Sequence, residues 1–284
     1  MAIFSNQATL TYNGTVTNSN IAYGEILEVL TATKTAIEGT YQPGQLVTYL
    51  VTLRNTGATA LANLTITDDL GGYPFNGTTL YPLTYEDGSA ALFISGVPQT
   101  APAVTAGPPL VITGITVPAG EDAVLVYQAR ANAFADPGPE GTIVNTVTVT
   151  GNSLCASATA SETVTSAAGP QLTITKSISP AQVLCNGQVT YTFLIQNFGA
   201  EALVATDNAV VTDTFDPILS DLAVSFNGVP WTQGIQYNYD QATGQFSTTP
   251  TLITVPAATV TRDPVTGAYT TTPGTATLTV TGTI

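Results

Sequence analysis

The chain has 284 residues, a formal net charge of −14 and no histidine. This removes imidazole catalysis and disfavours nucleic acid or membrane insertion, since both partners are gripped through cationic or long apolar segments. Hydrophobic residues make up 44% and charged residues 8%, with 25 Gly and 18 Pro, so the surface is Thr, Ser, Asn and Gln and the chain reads as all-β, long enough for two domains. No cofactor is called for. Mutual repulsion of acidic copies means that any polymer of this chain needs strong, specific joints.

In chain order, Met1-Ala2-Ile3-Phe4-Ser5 has neither the cationic start nor the apolar run of a secretory signal. Next comes Asn6-Gln7-Ala8-Thr9-Leu10-Thr11, an Asn13-Gly14 turn and a second polar strand ending at Glu25. The same order recurs at Asn145-Thr146-Val147-Thr148-Val149-Thr150, with a Gly151-Asn152 turn and an end at Glu162. There it closes a domain; at the start of the chain it has none to close. Residues 1–25 are therefore expected to be a donor hairpin that completes a neighbouring subunit.

Residues 26–166 read as one antiparallel sandwich of immunoglobulin type. Strands are expected at Leu46–Asn55, Leu61–Asp68, Leu110–Val117 and Ala123–Ala133, with closing strands at 142–150 and about 156–165. Ala167-Ala168-Gly169-Pro170 is a linker, and a second such domain is expected over 171–284. Its "LTITKS", "QVTYTFLIQNFGAEAL" and "AVVTDTF" repeat "LTATKT", "QLVTYLVTLRNTGATAL" and "LTITDDL" of the first. Tyr49, Asn55 and Gly57 match Tyr191, Asn197 and Gly199 at identical separations. The second copy stops at Ile284 where the first goes on to its closing strands, so it is expected to lack them. One unhosted hairpin and one unfinished sandwich suggest head-to-tail homopolymerisation.

The Lys-containing first strand, the Pro-Gly or Asn-Gly turn, "VTYLVTLRNTG" and "LTITDDL" resemble the bacterial surface repeat known as domain of unknown function eleven. The resemblance spans most of 26–284. Two such repeats in a chain without a signal sequence are similar to the major subunits of clostridial spore appendages. It implies immunoglobulin-like modules and an extracellular setting on a bacterial cell or spore surface.

Strand alternation puts polar groups on apolar faces. Lys34 shares a face with Leu30, Ala32 and Ala36, and Lys176 with Leu172, Ile174 and Ile178; these are the chain's two lysines. Asp68 alternates with Leu64 and Ile66, Asp213 with Val211 and Phe215, Asn145 with Ile143 and Val147, and Asn6 with Phe4 and Ala8. Buried groups of this kind must meet one another. One outcome is a Lys–Asp ion pair hydrogen-bonded to Asn. The other is an isopeptide bond, in which the amine attacks the Asn amide and ammonia leaves. Desolvation favours the neutral amine and the protonated acid which that chemistry needs. Immunoglobulin-like bacterial stalk domains are known for such bonds. The resemblance thus implies Lys34–Asn145 within a subunit and Lys176–Asn6 between subunits, with Asp68 and Asp213 as the promoting acids.

Cys155 and Cys185 admit a disulfide, within the chain or between copies, or two buried thiols. Asp68-Asp69 and Glu86-Asp87 read as solvated acids before a calcium site, no metal site is expected, and Asn13-Gly14 and Asn76-Gly77 read as turns before glycosylation sites. Trp231 is expected in the core. No residue set reads as an enzyme's nucleophile and base. Two functions remain: a self-assembling fibre subunit, and a surface adhesin whose loops 71–109 or 227–250 hold a carbohydrate or protein.

Overall fold

Thr and Val alternating at period two, interrupted every few residues by Gly, Pro or Asn, give short pleated strands and tight turns. The computed structural model describes residues 2–284 and is all-β, two tandem sandwiches preceded by a hairpin. The hairpin holds β1 (Ala2–Asn6), β2 (Thr9–Tyr12), β3 (Thr15–Asn18) and β4 (Ala22–Ile26). Asn13 and Gly14, at φ 44° and 80°, form its left-handed tip, and Asn76 and Gly77 form another at 45° and 79°. β1 pairs with β4 and β2 with β3, while Ile3, Phe4, Leu10, Tyr12 and Tyr23 stay exposed.

The hairpin copies the closing strands less closely than its sequence suggests. Asn6 faces Ala22 and Ile3 faces Glu25, but Thr9 faces Asn18, a slip of one residue between the two ladders. Ser19 bridges the slip, its carbonyl accepting from Gln7 Nε2 and its hydroxyl from Ala8 N. Glu25 is therefore not the counterpart of Glu162, which faces Asn145.

The chain divides into two compact units at Thr165/Ser166; the hairpin goes with the first and Asp136–Gly141 with the second. The hairpin expected as a separate element is thus grouped with residues 26–135 and 142–165. In the first unit follow β5 (Leu30–Ala36), β6 (Thr40–Tyr41), β7 (Leu46–Asn55), β8 (Leu61–Asp68), β9 (Tyr73–Phe75), β10 (Thr78–Leu80) and β11 (Leu83–Tyr85). Then come β12 (Ala91–Ile94), β13 (Val97–Pro98), β14 (Ala103–Thr105), β15 (Leu110–Val117), β16 (Asp122–Ala131), β17 (Thr142–Thr150) and β18 (Ala158–Ser166). One sheet runs β13-β12-β16-β7-β5 with β11 added on β16; the other runs β14-β15-β8-β17-β18-β6. Their facing side chains, among them Tyr49, Leu53, Ile66, Ile112 and Tyr127, make the buried core.

The second unit holds β19 (Leu172–Ser179), β20 (Gln188–Asn197), β21 (Thr212–Thr214), β22 (Ser220–Phe226), β23 (Val229–Trp231), β24 (Tyr237–Asp240), β25 (Gln245–Thr248), β26 (Thr259–Arg262), β27 (Tyr269–Thr272) and β28 (Gly274–Thr283). The sheet β19-β20-β28-β22-β23 repeats the first unit's β5-β7-β16 order, but the opposing sheet is only β21-β25-β24. β8 is paired on both edges, by β15 and β17, whereas β21 is paired on one edge only, by β25, among the described residues.

The matched Asn-x-Gly of each unit is a clasp. Asn55 Nδ2 donates to Thr59 O, Val117 O and Pro118 O at 2.8–3.1 Å, and its Oδ1 accepts from Gly57 N at 2.9 Å. Asn197 does the same with Glu201 O, Pro256 O and Gly199 N. Both side chains are buried, so removing one strands carbonyls out of reach of water. Asn55→Ala is expected to cost about 2–4 kcal/mol in denaturant unfolding; a loss under about 0.5 kcal/mol would show the clasp to be incidental.

Candidate functional site

β5 and β17 lie on opposing sheets of the first unit, their Cα atoms approaching within 8 Å, and the polar residues of the inward alternation gather between them. Lys34 Nζ donates to Asp68 Oδ2 at 2.7 Å, with side chains 0% and 1% exposed. Asp68 ends β8, and its other oxygen accepts from Leu70 N at 2.7 Å. That bond draws Leu70 and Gly71 into left-handed backbone, φ 50° and 70°; a Cβ on Gly71 would stand 2.6 Å from Ile143. Tyr127, on β16, donates its hydroxyl to Asp68 Oδ2. The rings of Tyr49 and Tyr127 stack 5.6 Å apart beneath the ammonium, which lies 4.8 Å from the first centroid and 5.9 Å from the second.

Asn145 completes the cluster, fully buried with its amide against the Tyr49 and Tyr127 hydroxyls, and among the described residues neither its amide nor the Tyr49 hydroxyl makes a hydrogen bond of standard geometry. Burial pulls the Lys34 amine below its ordinary pKa, with Asp68 pulling the other way. Burial, aided by Asp68, pushes Tyr49 and Tyr127 upward, so both phenols stay protonated. The site holds an amine biased toward its neutral form, an acid in contact with it, and a buried amide beside two phenols.

In the second unit the cluster is open. Lys176 donates to Asp213 Oδ2, but the side chains are 39% and 18% exposed. The ammonium lies 4.5 Å from the centroid of Tyr191 and 5.2 Å from that of Phe215. The inward face expected for β19 is uncovered, with Leu172, Ile174 and Ile178 exposed by 43%, 54% and 42%. The physical reason is the thin opposing sheet, which has no described equivalent of β17 and β18. Asn6 sits on β1, exposed.

Other expectations need revision. Cys155 and Cys185 are both free and exposed, so they form neither a disulfide in this chain nor a pair of buried thiols, because each falls in a loop outside the sheets. Trp231, expected in the core, packs against the second unit's core while half-buried on the short edge strand β23, stacked 5.2 Å from Phe226. Asp69 is occupied by the N–H groups of Gly71 and Thr146, and Glu86 by Arg130 at 3.0 Å. Tyr127 escaped the sequence reading because it is not repeated: Tyr49 faces Tyr127, whereas Tyr191 faces Val280. Its place on an otherwise apolar alternation, Ala123, Leu125, Ala129, was the signal that could have found it.

No family model and no curated protein matches the chain. Among solved structures it is similar to the pilus backbone RrgB of Streptococcus pneumoniae, at 14% identity and TM-score 0.36, covering 86% of this chain and 55% of that one. It is also similar to the major pilin SpaD of Corynebacterium diphtheriae, at 12% and 0.36, covering 78% and 49%. A third is the collagen-binding domain of a Staphylococcus aureus adhesin, at 10% and 0.31, covering 49% and 99%. The chain spans about half the length of the two pilins. These are partial likenesses of fold at low identity.

Burial of the cluster makes stability depend on pH in a chain that cannot join Lys34 to Asn145. In Asn145→Ala the unfolded chain holds a proton on Lys34 up to 10.5 while the folded chain has given it up earlier, so stability rises with pH across that window. The raised phenols act oppositely: above about pH 10 the unfolded chain ionises first and stability falls. Denaturant titrations of this variant should therefore climb toward about pH 10 and then drop; a flat profile would contradict the buried placement.

Proposed function

We propose that this chain is a structural subunit of a bacterial surface fibre, polymerised head to tail by strand donation and locked by Lys–Asn isopeptide bonds. The surface repeat it resembles, and its spore appendage members, fit that setting. One observation carries the reading: the same Lys–Asp pair is sealed under β17 in the first unit and open in the second, while a hairpin with β17's Asn-centred spacing stands exposed. The hairpin of one copy covers the open face of another, bringing Asn6 to Lys176 as β17 brings Asn145 to the sheet that faces Lys34.

The chemistry balances within these side chains. Asp68 takes a proton from the Lys34 ammonium, and the amine attacks Cγ of Asn145. The Nζ–Cγ bond forms as Cγ–Nδ2 breaks; the attacking nitrogen gives up one proton, and Asp68 passes one to Nδ2, which leaves as ammonia. Tyr127 holds Asp68 in place. Lys176, Asp213 and Asn6 perform the same exchange at the joint, once the hairpin has excluded water.

Seating is favourable before any bond forms. Burying three or four large side chains such as Phe4, Leu10, Leu172 and Ile174 is worth roughly 5–10 kcal/mol, less the cost of ordering and association. Strand addition at the open edge of β21 supplies main-chain hydrogen bonds as well. Donor and acceptor are different surfaces, so the contact propagates as a filament.

The adhesin reading keeps one observation in its favour, an apolar hollow of about 230 Å³ lined by Leu70, Leu80, Tyr81, Leu83 and Phe134. Boiling in detergent separates the two. A ladder of multimers that survives reductant, and disappears in Lys176→Ala and in Asn6→Ala, is the expected result; a monomer band under all assembly conditions leaves the adhesin. Intact mass should fall short of the sequence by one ammonia per Lys34–Asn145 bond and recover it in Asn145→Ala. A full mass in the parent chain would refute the intramolecular bond.

A further inference from the structure

The two cysteines stand at matching ends of the proposed joint. Cys155 lies in the loop between β17 and β18 and lines a cleft against Leu27–Leu30, the residues by which the hairpin enters β5. Cys185 lies in the turn between β19 and β20, where Gly187 N donates to Leu184 O at 2.8 Å and Ile284 is clasped by Asn186 and Gly187 at 3.0 Å each. Asn186 holds in that turn, at φ 62°, the left-handed place of Gly44 at φ 79°. Both thiols are free and exposed.

The first unit shows where a seated hairpin leaves its host. β18 ends alongside β6, with Thr165 N donating to Gly39 O at 3.1 Å. The repeat that carries Lys34 to Lys176 and Tyr49 to Tyr191 carries Gly39 to Ala181 and Pro43 to Cys185. Matching Asn6 to Asn145, the pairing of β1 with β4 carries Thr165 to Glu25. An incoming Glu25 therefore stands beside Ala181 of the acceptor. From there Cys185 is four residues along the acceptor chain, within about 14 Å at full extension. Leu27, where the cleft of Cys155 begins, is two residues along the donor chain.

Resting on the strand-donation reading, we infer that Cys185 of one copy and Cys155 of the next form a disulfide across each joint, a second covalent lock beside the amide. Two thiols lose two electrons and two protons to a small-molecule disulfide, which leaves as two thiols. Free, exposed thiols are open to that exchange. A fibre held this way keeps its joints covalent even where the slower amide has not formed.

The test uses the full chain carrying Lys176→Ala, so that no amide lock contributes, assembled with oxidised glutathione. A ladder on a non-reducing detergent gel that collapses to monomer with reductant is expected. Adding Cys155→Ser or Cys185→Ser should each abolish it, and mixing those two variants should give dimers and nothing longer. Dimers from either cysteine variant alone, or a ladder indifferent to both, would overturn the pairing. Should Lys176→Ala prevent assembly, parent fibres grown from mixed 14N and 15N copies are digested instead. Linked Cys155 and Cys185 peptides of mixed isotope support the inference; linkage confined to one isotope contradicts it. Lys176–Asn6 peptides with both thiols free sink the disulfide alone, whereas absence of that amide peptide sinks the reading beneath it.

Discussion

A lysine placed on an apolar strand face must be covered and answered, and most of this architecture follows from that requirement. In the first unit the ammonium of Lys34 is met by Asp68, whose second oxygen is held by the left-handed turn at Leu70. β17 and β18 then seal the face, and Asn145 comes in with them. Breaking such a buried pair typically costs about 3–5 kcal/mol, so the closing strands are bound to the site they cover. The second unit carries the same lysine and acid without the cover, and its first strand is exposed along its whole length.

The two units are therefore not two copies of one finished object. They share the Asn-x-Gly clasp and the sheet order around β7 and β20, which fix the frame. They differ around the lysine and its acid. Val280 stands where Tyr127 would be, and Ala22 stands opposite Asn6 where Glu162 stands opposite Asn145. In the first unit a phenol of the same unit holds the acid; in the second no such phenol faces Tyr191. The hairpin's two ladders are likewise not one continuous pairing, because the register slips by one residue at Ser19.

Much of this was legible in the chain. Period-two alternation located β7, β8, β15 and β17 to the residue, since each buries one face and solvates the other. The same alternation put Lys34, Asp68 and Asn145 on inward faces. Tyr127 was hidden, since a tyrosine in an apolar run reads as core until its hydroxyl's partner is known. The exposure of Cys155 and Cys185 was hidden too, because small thiols in loops carry no periodic signal. Trp231 packs against the core as expected but is only partly buried, because its strand is three residues long at a sheet edge.

Amide hydrogen exchange on free and assembled protein tests the central claim most directly. If the hairpin of one copy covers the open face of the next, β1, β2, β19 and β21 exchange fast in the free chain. They should become protected together, along with β3 and β4, as filaments form. Filaments in which β1 and β2 go on exchanging as in the free chain, while β19 and β21 slow, would contradict it.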